Sequence, residues 1–385
     1  MALGHPTTSS ELNQFEHRLV KRYNVRCMGE PQHFLGIRIH RDRNQGKIWL
    51  SQDALIEKIA KRFKIYTSKA PDSPLPAQEL LPYTGNPLSP ETISGYQQRV
   101  GSIGYTAIST RPDVAKSHSK LAEHLQNPSK HHMEMANRVI HYLVGTKHFA
   151  IEYSAQADNR IVIKYGGQDQ MQHREQQFME TLSASEIFSA ASDAAFADDR
   201  DSRKSSQGYI FMLFGGPIDW RSNLQRTVTR SSTESELLSL SEASARMIWW
   251  FRLFNHIKFY PQEKPIIQCD NQQTIRILTK DEARLTTRMK HVDVHQCWVR
   301  QEVQKGTIGV RWVPTACMPA DGLTKILPPQ SHKNFVKLLR LVDIGHLLHP
   351  GHSSAAEPTT KQGHKRKKSE SDEPEARNAP ESTSL

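Results

Sequence analysis

Three observations predict an α/β fold, with a mixed five-stranded sheet flanked by helices in the second half of the chain and an α+β segment before it. Short apolar runs ending near Asp193, Phe214 and Arg221 follow one another as three consecutive strands. From Thr233 onward helix and strand patterns alternate and add two more strands. Upstream, two short alternating runs, Phe34 to Ile39 and Lys47 to Leu50, read as a β-hairpin, and most of the rest of that half is helical.

In chain order, Glu11 to Tyr23 is a polar amphipathic segment, the hairpin turns through Arg41 to Gly46, and Gln52 to Phe63 reads as a helix. Pro71, Pro74, Pro76, Pro82 and Pro87 exclude a regular element and predict a linker or extended strap. Helical patterns cover Glu91 to Ser109, Val114 to Gln126 and Lys130 to Val144, the last stopped by Gly145. The polar stretch 155–186, rich in glutamine from Gln168 to Gln177, reads as a boundary with an inserted segment.

The second pattern starts near Ile187 with a strand into Asp193, then strands Tyr209 to Phe214 and Pro217 to Arg221. A long helix from Thr233 to His256 follows, then a strand Pro265 to Cys269 and a helix after Asn271. A helix Lys290 to Lys305, a strand Ile308 to Val313 and a helical region from Ala320 complete it. From Pro350 the composition of Ser, Pro, Glu and Lys predicts disorder.

The length of 385 residues and the 37% hydrophobic content suit two ordinary domains with their own cores. No apolar run reaches membrane length, and the N-terminus lacks the basic-then-apolar order of a secretory signal. The expectation is an intracellular protein with no membrane partner, cytoplasmic or nuclear, with the basic run His364 to Lys368 as a guess at nuclear import. The four scattered cysteines form no Cys-x-x-Cys pair, which argues against a zinc ribbon or redox dithiol. The net charge is +11, and the last 35 residues are balanced, so the folded part holds the whole excess. That excess favours a nucleic-acid partner, with plain solubility as the alternative.

Asp193 and Asp270 each follow an apolar run, which places them at or near strands in the sheet interior. A carboxylate there costs several kcal/mol unless paired, protonated or metal-bound. Stepping by helical turns from Glu236 meets Leu240, Ala243, Met247, Trp250 and Phe254, so Glu236 faces the sheet, whereas the same steps from Glu234 meet Leu238, Ser241, Ala245, Ile248 and Arg252. With Thr233 as N-cap, Glu236 could instead close a capping box. Asp321 opens the last helical region, where the helix dipole alone would also favour an acid. Four such acids in one cluster repel unless divalent cations neutralise them, and two cations are the usual machinery for cleaving phosphodiesters.

Ser192-Asp-Ala-Ala-Phe-Ala197, Gly208-Tyr-Ile-Phe, Ile218-Asp-Trp-Arg-Ser222, Ser231-Ser-Thr-Glu-Ser-Glu236, Cys269-Asp-Asn271, Lys290-His-Val-Asp293, Val313-Pro-Thr315 and Ala320-Asp-Gly-Leu-Thr-Lys325 resemble the RNase H domain of copia-type retrotransposon polyproteins. Upstream, Met28 to Ile39, Tyr96 to Tyr105, Thr110-Arg-Pro-Asp-Val114 and His141 to Thr146 resemble the end of the reverse transcriptase of the same elements. The resemblance spans residues 11–346. It implies an RNase H-like sheet preceded by a palm-end, thumb and connection remnant. The expected division is 1–70 for the palm end, 71–154 for a helical thumb and connection, 155–186 for an insertion, 187–346 for RNase H and 347–385 for a tail.

By the same resemblance Asp193, Glu236, Asp270 and Asp321 correspond to catalytic, metal-holding acids. They would bind two Mg2+, with Mn2+ as a possible substitute, and cleave the RNA strand of RNA:DNA hybrids. Phe34, Leu35, Gly36, Asn271, Lys290 and His291 are the candidate nucleic-acid contacts, and other parts of a retroelement polyprotein are possible partners. The aromatic-x-Asp-Asp turn of the polymerase is not found ahead of Phe34, so a truncated palm and no polymerase activity are expected. Phe196-Ala-Asp-Asp199 spells that motif in the wrong place and reads as the start of a loop. The competing reading is an inactive nucleic-acid-binding remnant. His124, His131 and His132 read as surface or helix-face histidines rather than a metal cluster, and Trp249, Trp250 and Phe251 as helix core.

Overall fold

A computed structural model describes residues 9–26, 28–66, 69–78, 80–155, 187–261, 264–279 and 290–348. The glutamine-rich stretch and the basic run His364 to Lys368 lie outside the described residues. The described residues up to Gly345 form one compact unit. Among the described residues no helix is long and apolar enough to cross a membrane.

The first sheet is antiparallel throughout. Strands β1 (His33–Phe34), β2 (Ile37–Asp42), β3 (Lys47–Ser51), β4 (Phe149–Ser154) and β10 (Leu341–Asp343) lie in the order β1-β2-β3-β4-β10. The expected run from Phe34 to Ile39 is broken, because Leu35 (φ 48) and Gly36 (φ 76) form a two-residue turn. Two consecutive positive φ angles match the right-handed twist of the flanking strands, so the chain reverses there instead of running straight.

The helices of the first half are α1 (Ser9–Arg22), α2 (Asp53–Phe63), α3 (Pro90–Ser109), α4 (Ala115–Ala122) and α5 (Lys130–Gly145). Ser89 caps α3, with its hydroxyl accepting from the Thr92 N–H and Pro90 in the first turn, where its missing N–H costs nothing. Ile56, Tyr96, Val100, Ile103, Leu121, Val139, Ile140 and Leu143 build a core between α2, α3, α4 and α5. Leu75 and Leu80 of the proline-rich strap are buried in the same core.

Of the three histidines near α5, His131 is exposed as the sequence suggests, whereas His124 and His132 are buried. The rings of His124 and His132 stack at 4.0 Å, and His132 closes the capping box of α5 with Ser129. Its Nδ1 accepts from the Ser129 N–H, which leaves Nε2–H to donate to the Leu81 carbonyl.

The second sheet has the order β7-β6-β5-β8-β9, from β5 (Phe188–Ala195), β6 (Ser206–Leu213), β7 (Gly216–Leu224), β8 (Ile266–Cys269) and β9 (Gly309–Trp312). The first three pair antiparallel, whereas β8 joins β5 and β9 joins β8 in parallel. This is the mixed five-stranded sheet with flanking helices that the sequence predicts. One face packs on α6 (Ser232–His256), α7 (Gln272–Thr279) and α8 (Lys290–Gln304) through Phe188, Phe211, Leu240, Met247, Ile267 and Val299.

The period of two along β5 sends Ala191 to the other face. There Ile210, Met318, Leu323, Phe335 and Leu339 join Ile151 and Leu341 of the first sheet in a further core. Helices α9 (Asp321–Thr324) and α10 (Pro329–Leu338) cover it. The helical region expected from Ala320 is therefore split, because Pro328 and Pro329 cannot continue α9 while Pro329 starts α10 well.

A buried polar network ties α10 to the first half. The Arg111 guanidinium forks onto Asp113 at 2.9 and 2.7 Å and donates to the Thr146 carbonyl. Tyr142 Oη donates to Asp113, so His332 Nε2 on α10 donates to Tyr142 at 2.9 Å. Both charges of the Arg111–Asp113 pair are fully buried, and the bidentate fork with its added hydrogen bonds makes that burial tolerable.

Candidate active site

Asp193 sits on the β5 face that carries Ala191, paired in register with Gly208 of β6. A Cβ added to Gly208 would lie 2.7 Å from the Leu323 Cβ and 3.1 Å from the Arg221 carbonyl, so glycine is what lets α9 close onto the sheet. That approach delivers the Thr324 hydroxyl, which donates to Asp193 Oδ2. Helix α6 is fixed on β5 by Ser239, whose Oγ donates to the Asp193 carbonyl at 2.8 Å and meets Ser192 Oγ at 2.9 Å.

The N-cap of α6 is Ser231, not Thr233: its hydroxyl accepts from the Glu234 N–H, and the Glu234 carboxylate reaches back to the Arg230 N–H. Glu234 thus takes the local role, and Glu236 lies one half-turn on, 5% exposed and facing the sheet. Among the described residues its Oε2 has no hydrogen-bond partner. Asp270 stands just beyond β8, where its Oδ2 accepts from Thr315 Oγ1 at 2.8 Å and its carbonyl from the Trp312 indole. Asp321 starts α9, and its carboxylate meets Lys325 rather than capping the helix.

The four acids thus come from four separate elements and share one field. Burial raises the Asp193 carboxyl to about 6, against the opposing pull of the Lys325 ammonium and the Thr324 hydroxyl, while Asp270 and Asp321 add repulsion. Burial and the charges of Asp193 and Asp270 push Glu236 well above the usual carboxylate range. Burial also works against the Lys325 ammonium, but the carboxylates of Asp193, 3.9 Å away, and Asp321 outweigh it and hold its pKa up. A cluster of this kind stores electrostatic repulsion that a divalent cation would relieve.

Lys325, Thr324 and Thr315 surround the acids although the carboxylate reading did not single them out. The signal was present in Ala320 to Lys325, since a lysine four residues after an acid shares its helical face. Cys269 is a further addition: its sulfur, a Glu236 oxygen and an Asp270 oxygen all lie within 4.8 Å of one another. Burial and the neighbouring carboxylates push its thiol pKa up.

Of the expected nucleic-acid contacts, Phe34 and Leu35 are 62% and 69% exposed at the hairpin tip, where Tyr105 Oη donates to the Leu35 carbonyl at 2.5 Å. Asn271 Oδ1 accepts from the Thr274 N–H and so caps α7 beside Asp270. Lys290 and His291 begin α8, and their side chains lie outside the described residues. Asp198 accepts from the Ser206 N–H and hydroxyl and pairs with Lys116 at 3.3 Å, while Asp199 accepts from the Ser202 N–H, so the two aspartates organise the turn after β5. Trp249 departs from the helix-core reading: it is 45% exposed under the Arg246 guanidinium, while Trp250 donates its indole N–H to Asp219.

No family model matches the chain. The retrovirus-related Pol polyprotein from transposon TNT 1-94 of Nicotiana tabacum is 32% identical over 315 residues, covering 80% of this chain and 21% of that protein. The corresponding polyprotein from transposon RE1 of Arabidopsis thaliana is 31% identical over 318 residues, covering 82% and 19%. A putative transposon Ty5-1 protein of Saccharomyces cerevisiae is 30% identical over 231 residues, covering 60% and 66%. The chain spans about a fifth of the length of the two plant polyproteins. Among solved structures, RNase H1 from Halobacterium salinarum NRC-1 aligns at 17% identity and a TM-score of 0.25, covering 35% of this chain and 92% of that one. LC11-RNase H1 in complex with RNA/DNA hybrid aligns at 11% identity and 0.27, covering 36% and 96%.

Proposed function

Because the chain belongs to the retrovirus-related Pol polyproteins of copia-type transposons, we propose that its second sheet carries a magnesium-dependent endonuclease that cuts the RNA strand of RNA:DNA hybrids. The observation that carries this reading is the convergence of Asp193, Glu236, Asp270 and Asp321, with a buried Glu236 oxygen that has no partner among the described residues. Four carboxylates offer hard oxygen donors, which suits Mg2+, with Mn2+ as a substitute. Two such ions, when bound, supply an activated water and neutralise charge at the leaving 3′ oxygen.

The chain's own residues do the rest. Asp193 is held by its strand and the Thr324 hydroxyl, and Glu236 is placed by the buried face of α6, so both acids are in position before loading. Asp270 and Asp321 sit on segment ends that are less buried and can adapt to the incoming phosphate. Contacts to 2′-hydroxyls across the minor groove would select the RNA strand. The exposed Phe34–Leu35 tip offers an apolar surface on which a base or sugar can rest. An intracellular setting, with nuclear import through His364 to Lys368, completes the reading and is tested by deleting that run from a fluorescent fusion.

The test is incubation of purified protein with labelled hybrid, with and without Mg2+, beside Asp193→Asn. Metal-dependent loss of the RNA strand in the parent alone supports the proposal. Hybrid binding without cutting by the parent would replace it with the inactive-remnant reading. In the same assay Phe34→Ala combined with Leu35→Ala should weaken hybrid binding and leave the melting temperature unchanged.

A further inference from the structure

Cys269 ends β8 with its side chain fully buried, and the alternation of that strand directs it to the same side as Ile267, toward the start of α6. Its sulfur lies within 4.8 Å of oxygens on both Glu236 and Asp270. Hard oxygen donors alone would suit Mg2+, but a thiol among them changes the preference. Sulfur binds soft and borderline cations strongly and Mg2+ hardly at all.

Two further facts point to a ligand. Glu236 is nineteen-twentieths buried, yet among the described residues its Oε2 has no hydrogen-bond partner, an arrangement that costs free energy unless something fills the gap. Asp270 is only half-buried and leaves a way in from solvent. Tetrahedral binding with S and O ligands needs ligand atoms about 3.6 Å apart. Rotation of the two carboxylates about their terminal bonds covers the remaining ångström.

We propose that Glu236, Cys269 and Asp270 form a site for one thiophilic divalent cation of the Zn2+ or Cd2+ class, and that its occupancy shuts the nuclease off. On binding, a sulfur–metal bond forms, the S–H bond breaks and its proton leaves to solvent, with no change of oxidation state. Two of the four acids are then committed to the wrong ion. The inhibitory half rests on the nuclease reading; the binding half does not.

The experiment uses the full chain with Cys27, Cys297 and Cys317 changed to Ser, so that Cys269 is the remaining thiol. Titration with Cd2+ should produce a thiolate-to-metal charge-transfer band saturating at one equivalent. Cys269→Ser should abolish it, and Glu236→Gln, which keeps the thiol, should weaken Cd2+ binding at least tenfold. For inhibition, Zn2+ is titrated against Mg2+-dependent hybrid cleavage, each variant being compared with its own Zn2+-free rate. Cys269→Ser should raise the halving concentration at least tenfold. A folded parent with no Cd2+ band, a band indifferent to Glu236→Gln, or equal Zn2+ sensitivity in both proteins would overturn the proposal. If the parent cuts nothing at all, the nuclease reading fails while the charge-transfer band still decides the metal site.

Discussion

Replacing Asp193 by Asn should make the metal-free protein more stable. The Asp193 carboxyl is raised from 3.8 to about 6 in the fold, so the native state holds its proton more tightly than the unfolded chain does. A raised carboxyl stabilises the fold at low pH, and that stability is lost as pH climbs from about 4 through 6. Above both values the ionised group costs the fold about 3 kcal/mol, at 1.36 kcal/mol per tenfold in binding. Asn has the same shape and no charge, accepts from Thr324 as Asp193 does, and removes that cost. For a body of this size about 2 °C follows each kcal/mol, so the variant should melt on the order of 6 °C higher at pH 8 in EDTA. The gap should shrink to roughly half by pH 5. Mg2+ should raise the melting temperature of the parent far more than that of the variant, since the cation relieves the same repulsion. A variant that melts at or below the parent at pH 8 without metal, or a gap independent of pH, would refute the reasoning.

Three other perturbations test separate parts of the structure. Gly208→Ala puts a methyl group against Leu323 and the Arg221 carbonyl, so it should cost about 1–3 kcal/mol in urea unfolding and reduce cleavage by shifting Thr324 and Asp321. Arg111→Met strands the fully buried Asp113 and should cost about 3–5 kcal/mol, most of it recovered when Asp113→Leu is added; no recovery in the double variant would mean that the ion pair itself is not the cause. Burial and the adjacent His132 lower His124 from 6.5 to about 4. The unfolded chain therefore takes up a proton first, and stability that is complete above pH 6.5 is lost as pH falls toward 4. His124→Gln should flatten the melting-temperature profile across that interval, whereas parallel profiles would show that other groups carry the acid sensitivity.

Element types in the second half were legible because they depend on neighbours in sequence. The 3.6-residue step separated Glu236 from Glu234, and the short apolar run ahead of Asp193 placed it at a strand. Local rules misplaced the N-cap of α6, since Ser231, Ser232 and Thr233 are all competent caps and only the packed helix selects one. They also missed β1, β4 and β10, which are short or whose partners lie far along the chain.

The sequence by itself determined which residues could do chemistry: four acids at the ends of predictable elements, a basic body to attract a polyanion, and motifs in a fixed order. Tertiary structure alone decided what stands beside them. Thr324 reaches Asp193 across 131 positions because Gly208 has no side chain, and His332 reaches Tyr142 across 190. Cys269 and its chain neighbour Asp270 meet Glu236 only because β8 docks parallel to β5 under α6. Periodicity shows which way a side chain faces within its own element, but the partner it meets is set by packing between segments that share no local pattern.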